Sequence, residues 1–149
     1  MRNAVATFLA TSGYYRCLLV VHPEIRRLEA AANELVSAYG WPRLSVGGEV
    51  SAVLRVVPPA RYPRAASRCI DANVGQMAPG PVLCTEIDVL FEPALKLDPL
   101  ALLRQTSRQT ALVVTWPGSY VDELLAYAAP EHGHYRAWHR PGILVVRLE

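Results

Sequence analysis

Four short runs of consecutive apolar residues constrain this chain more than any other feature: RCLLVV at residues 16–21, PVLC at 81–84, TALVVTW at 110–116 and GILVV at 142–146. A strand with one wet face alternates apolar and polar residues, whereas an unbroken apolar run must be covered on both faces, as in a parallel sheet. Parallel strands need long crossover connections, and the intervening stretches supply them. From Glu24 to Tyr39 the residues Ile25, Leu28, Ala31, Ala32, Leu35 and Val36 recur at helical steps, and Gly40 stands where such a helix is capped. Asp98-Pro99 is a helix start, cap followed by proline at the first helical position. The expected architecture is a three-layer α/β domain with a parallel sheet, a single domain spanning residues 1–149.

The remaining segments are read less sharply. Residues 1–12 suggest a short helix and 43–46 a short strand that Gly47-Gly48 ends before a helical EVSAVLRVV. Pro58, Pro59 and Pro63 mark a connection into a second helical stretch reaching Val74. Pro117-Gly118 is expected to end the strand at 110–116, with helix or irregular chain then running to His139 and a long last strand closing the sequence.

No stretch of about eighteen apolar residues is present, so a membrane span is not expected, and the first residues lack a cleavable leader pattern, which points to the cytoplasm. Cys17, Cys69 and Cys84 are odd in number and widely spaced, fitting reduced core residues better than a disulfide or zinc framework. Net charge is +2, divided as +4 over residues 1–75 and −2 over residues 76–149. Fourteen of the fifteen basic residues are arginine, and the single lysine, Lys96, lies far downstream of the first strand.

Ligands of open parallel sheets bind beyond the carboxyl ends of the strands. After the first strand that end holds His22, Pro23, Glu24, Arg26 and Arg27, and after PVLC it holds Thr85, Glu86 and Asp88. A buried strand breaking into a long helix is how a phosphate-binding loop begins, and a strand ending in carboxylates is how its magnesium-holding counterpart looks. Each residue also has a plain structural use: Glu24 complements a helix N-terminus, the arginine pair suits a solvated helix surface, and the carboxylates can cap a loop. Glu131, His132, His134 and His139 lie close in sequence, but no four-ligand metal set is complete, and no metal site is assigned. Ser107-Arg108 before the third long strand could place an arginine on a neighbouring subunit's nucleotide. Arg55, Arg61, Arg64 and Arg68 cluster around the proline loop as a contact surface for nucleic acid, although no DNA-binding motif accompanies them.

The segment IDVLFEPALKLDPLALLRQTSRQTALVVTWPG, followed by LLAYAAPEHGHYRAW, resembles the BrxF family, small P-loop proteins of type-three BREX bacteriophage-exclusion systems. The elements that carry the resemblance are the LF-E-P-x-x-LK-x-DPL run, the SR before a strand, W-P-G, and the Y-A, P, H, Y-R ending; a fainter likeness reaches back through YGWPRLSVGGEVSAVL. It implies a P-loop NTPase-like domain with a RecA-like or AAA-like core, a role in antiviral defence beside other BREX proteins, and ATP with magnesium for typical members; homo-oligomers belong to the assembly reading given below. This chain departs from such members in the opening stretch. Where they carry a GxxxxGK[ST]-type loop it has HPEIRRL, without glycine, lysine or a hydroxyl for magnesium, and Thr85 stands where they tend to have aspartate. Loss of the lysine and the magnesium ligand removes the main charge stabilisation of phosphoryl transfer. The reading is therefore a non-hydrolysing assembly or regulatory subunit with a degenerate nucleotide site at His22, Glu24, Arg26, Arg27, Glu86 and Asp88. Its alternatives are an atypical ATPase completed by Arg108 of a neighbour and a DNA-binding accessory subunit.

Overall fold

A computed structural model describes residues 1–10, 16–128 and 133–149. Five strands form a parallel sheet in the spatial order β2 (Arg43–Ser45), β3 (Val82–Thr85), β4 (Leu112–Val121), β1 (Cys17–His22), β7 (Leu144–Arg147). The continuous apolar runs dictate this arrangement. In β1, Cys17, Leu19 and Val21 enter one hydrophobic cluster while Leu18 and Val20 enter another, so successive side chains serve opposite faces of one buried strand.

Helices cover both faces. On one side α1 (Arg2–Ala10) and α2 (Ile25–Tyr39) contribute Val5, Phe8, Ala31, Ala32 and Leu35. On the other, α3 (Val46–Leu54), α4 (Tyr62–Gln76) and α5 (Pro99–Thr106) contribute Val50, Ala66, Ile70 and Leu103. The three-layer α/β expectation is met. The local punctuation expected for two of the helices is also present. Gly40 ends α2 in the left-handed region at φ 67°, donating to the Val36 carbonyl at 2.8 Å, and Asp98 caps α5 by accepting from the Ala101 N–H at 3.1 Å.

Other local expectations need correction. Gly47-Gly48 does not interrupt the chain but lies in the first turn of α3, with Ser45 as its N-cap. Gly47 is required there for proximity, because a Cβ would stand 2.9 Å from the Glu86 carbonyl oxygen. Pro117-Gly118 does not end β4, which continues to Val121 and turns back as β5 (Leu124–Tyr127), itself paired with β6 (Arg136–His139). The stretch expected to be helical or irregular is thus largely an antiparallel extension of the sheet. Pro117 is the last β4 residue paired with β1; from Gly118 onward the partner is β5. The closing strand is short, four residues at the sheet edge.

All three cysteines carry free thiols and are buried, as expected. Burial pushes the Cys84 thiol up to about 12 and raises Cys17 and Cys69 as well. Among the described residues no helix is long and apolar enough to cross a membrane.

Candidate functional site

The sheet order creates one topological switch point. From β1 the chain crosses toward the β2 edge, and from β4 it returns past β1 to β7, so the crevice between β1 and β4 opens at their carboxyl ends. A cleft of about 270 Å³ lies at that end of the sheet, lined by Ile25, Leu28 and Glu29 of α2, by Thr85, Glu86, Ile87 and Asp88 after β3, and by Thr115 and Pro117 of β4.

The turn leading into the cleft is tight. Only Pro23 and Glu24 separate β1 from α2. Proline has no N–H to offer, and the Glu24 N–H is already taken, donating to Nδ1 of His22 at 2.9 Å. The helix itself starts on the Glu24 carbonyl, which accepts from Arg27 at 3.1 Å and Leu28 at 3.3 Å. A phosphate cradle needs several convergent backbone N–H groups on a wide arch. Here the imidazole of His22 occupies a position at the helix start that an anion would use. Arg26 and Arg27 are exposed on the first turn of α2, and neither lines the cleft.

The opposite wall is carboxylate. Glu86 has a left-handed backbone at φ 57°, uncommon for a residue with a side chain. Ser45 Oγ donates to its Oε2 and accepts from the Gly48 N–H, so one hydroxyl both caps α3 and holds Glu86. Asp88 accepts from the Tyr127 hydroxyl at 2.9 Å. Burial, then the neighbouring Asp88, pushes the Tyr127 phenol up, so this hydroxyl stays protonated and donating across the ordinary pH range. Beside Thr85, the Arg43 guanidinium donates to both Glu29 oxygens at 2.7 Å, to Asn33 Oδ1 at 3.2 Å and to Thr85 Oγ1 at 3.3 Å. Arg43 is therefore already committed to Glu29, and Glu86 and Asp88, which no cation contacts among the described residues, give the lining a negative character that repels polyphosphate.

Arg43 is a testable part of this wall. Arg43→Met is expected to lower stability by about 1 kcal/mol, because the pair with Glu29 is only partly shielded from water. Arg43→Lys should recover little of it, since an ammonium cannot reproduce the two-pronged contact. Urea unfolding at low and high salt checks both, with the difference narrowing at high salt.

The sequence placed His22, Glu24, Glu86 and Asp88 at strand ends, and the fold brings these ends to the same edge of the sheet. Arg108 is elsewhere: it precedes β4, at the opposite end of the sheet from the cleft, with Nη1 donating to Gln105 at 3.3 Å. Arg55 follows α3, while Arg61, Arg64 and Arg68 border a separate groove. Glu131 and His132 lie outside the described residues. His134 Nε2 stands 3.9 Å from Glu92, and among the described residues no group of three metal-binding side chains comes together. Ser45, Arg43, Glu29 and Tyr127 were not singled out from sequence. Ser45 was findable from its position before a helical stretch; Tyr127 was not, because its partner lies 39 residues away. No protein-family model matches the chain, nor does any curated protein or solved structure.

Proposed function

We propose that this chain is a BrxF-like component of a phage-defence system, a P-loop-type scaffold that assembles with other proteins and does not hydrolyse nucleotide. Two things support the scaffold reading. The first strand is interior, flanked by β4 and β7, and it feeds a helix N-terminus at the switch-point crevice, where nucleotide-binding α/β proteins hold phosphate. Two of the downstream motifs that resemble the family fall on regular elements of this scaffold: the LF-E-P-x-x-LK run forms 3-10 turns at Ile87–Phe91 and Pro93–Leu95, and W-P-G carries β4 from β1 to β5.

The observation that carries the non-hydrolysing reading is the two-residue turn after β1, whose available N–H is satisfied by His22 and whose facing wall is acidic. A nucleotide would have to displace that hydrogen bond and approach Glu86 and Asp88, which are held by hydroxyl groups and not by a cation. Calorimetric titration with ATP and magnesium is expected to give no binding heat, and phosphate release should stay at background. Micromolar binding with turnover that Glu86→Ala abolishes would defeat the proposal.

A further inference from the structure

A larger groove, about 650 Å³, lies away from the cleft between the end of α3 and the start of α4. Val53, Val57 and Ala60 give it apolar walls, and Arg61, Arg64 and Arg68 border it. Their spacing is that of one face of a helix, so the three guanidinium groups form a single flank. All three are exposed, and among the described residues none is hydrogen-bonded or ion-paired. Unpaired guanidinium forks beside an apolar floor suit a ligand that presents carboxylates between aliphatic side chains.

The same chain displays such a ligand. At the tip of the β4–β5 hairpin, Val121 and Leu124 are 55% and 39% exposed, and between them stand Asp122 and Glu123. Asp122 has no partner among the described residues, and Glu123 meets only the exposed Arg140, at 3.0 Å. A surface pair of that kind is readily exchanged for another. Both turn residues have left-handed backbones, φ 51° and 64°, a geometry best served by Asn-Gly. The two acidic side chains are thus of no advantage to the turn itself.

We propose that the groove beside Arg61, Arg64 and Arg68 receives the Val121–Leu124 hairpin tip of a second copy of this chain. Carboxylates meet guanidinium groups, and the two aliphatic side chains meet Val53, Val57 and Ala60. Groove and tip are different surfaces, so the contact is either reciprocal across a twofold axis, giving a dimer, or head-to-tail, building a ring or an open chain of subunits. A nucleic-acid strand fits less well: no aromatic side chain lines the groove for a base to stack on, and the apolar walls would go unused. The proposal deepens the assembly reading above and rests on it.

Sedimentation equilibrium tests it. The wild-type chain is expected to gain mass with concentration, and less so as salt rises. R64E/R68E and D122R/E123R should each sediment as monomers, and mixing the two should restore assembly, since each reversed surface then meets its complement. Native circular dichroism verifies that both are folded; D122N/E123G, which suits the turn and removes its charge, is a second tip variant expected to be monomeric. A wild type that stays monomeric up to its solubility limit overturns the proposal. So does self-association indifferent to both reversals, or failure of two folded variants to restore mass on mixing. A monomeric wild type that binds a single-stranded oligonucleotide, with binding lost in R64E/R68E, assigns the groove to nucleic acid instead. A monomer that ignores ATP removes this contact but leaves the assembly reading, whereas a chain that binds and turns over ATP removes that reading whatever its mass.

Discussion

Trp116→Ala is expected to cost about 4 kcal/mol of stability, the range seen when a large aromatic side chain is deleted from a closed core. Trp116 is fully buried on β4, one residue before the strand leaves β1 for β5. Its ring meets Phe91 edge-on at 5.2 Å and Trp138 at 5.5 Å, joining the 3-10 turn after β3, the central sheet and β6 into one aromatic cluster. Its indole N–H donates to the Ala126 carbonyl at 3.0 Å, so alanine would leave both a void and a buried acceptor without its donor. For a chain of this size the loss corresponds to a fall in melting temperature of roughly 10 °C. Trp116→Phe is the milder change. It keeps one aromatic ring in the cluster while removing the donor and the second ring, and should cost about 2–3 kcal/mol. Thermal and urea unfolding of the pair check the ordering, and equal losses in the two variants would contradict it.

The central sheet was legible in the sequence because its signal is strictly local. CLLVV and ALVV are unbroken apolar runs too short to cross a membrane as helices, and that pattern has few uses besides a strand buried on both faces. Helix α2 was legible for a related reason, since its period and its glycine cap agree. The β4–β5 hairpin was hidden because its turn uses Asp122-Glu123, and two acidic residues at left-handed backbone positions carry none of the glycine or asparagine that marks such turns. Pro117 and Gly118 made the concealment worse, for they ordinarily signal the end of a strand.

The candidate site was legible in position but not in character. Strand ends predicted where Glu86 and Asp88 would lie, yet what they do depends on partners distant in sequence: Ser45, 41 residues before Glu86, and Tyr127, 39 residues after Asp88. The plain structural use that the sequence allowed these carboxylates, holding loops, is visible in both contacts. His22 illustrates the converse. From sequence it was a candidate nucleotide-site residue, and in the fold its imidazole accepts the Glu24 N–H of the turn. A glycine-rich arch leaves several donors open, whereas in HPEIRRL proline has no N–H and the Glu24 N–H is already bonded.

Gly118→Ala is expected to detach the hairpin from the sheet. A Cβ at position 118 would lie 1.9 Å from the Ala126 carbonyl oxygen, 2.9 Å from the Ala126 carbonyl carbon and 3.1 Å from Tyr127 Cα. Every one of these atoms is backbone, so no side chain can swing aside, and β5 itself must move. The residue pairs directly with Tyr127, whose phenol holds Asp88 and whose ring stacks on Phe91 at 3.7 Å. The displacement therefore propagates to the cleft as well as to the hairpin tip. Overpacking usually costs 1–3 kcal/mol where side chains can adjust, and about 3 kcal/mol or more is expected here. Gly75→Ala provides the opposite sign: a Cβ there meets nothing within 4 Å, the position is helical, and the change should stabilise by about 0.5–1 kcal/mol. Hydrogen exchange locates the effect. Protection at Ala126 and Tyr127 should fall in Gly118→Ala while Leu19 and Val20, at the centre of β1, keep theirs relative to global unfolding. Should the added methyl leave that protection intact, the close passage of β4 over β5 would not be what demands glycine.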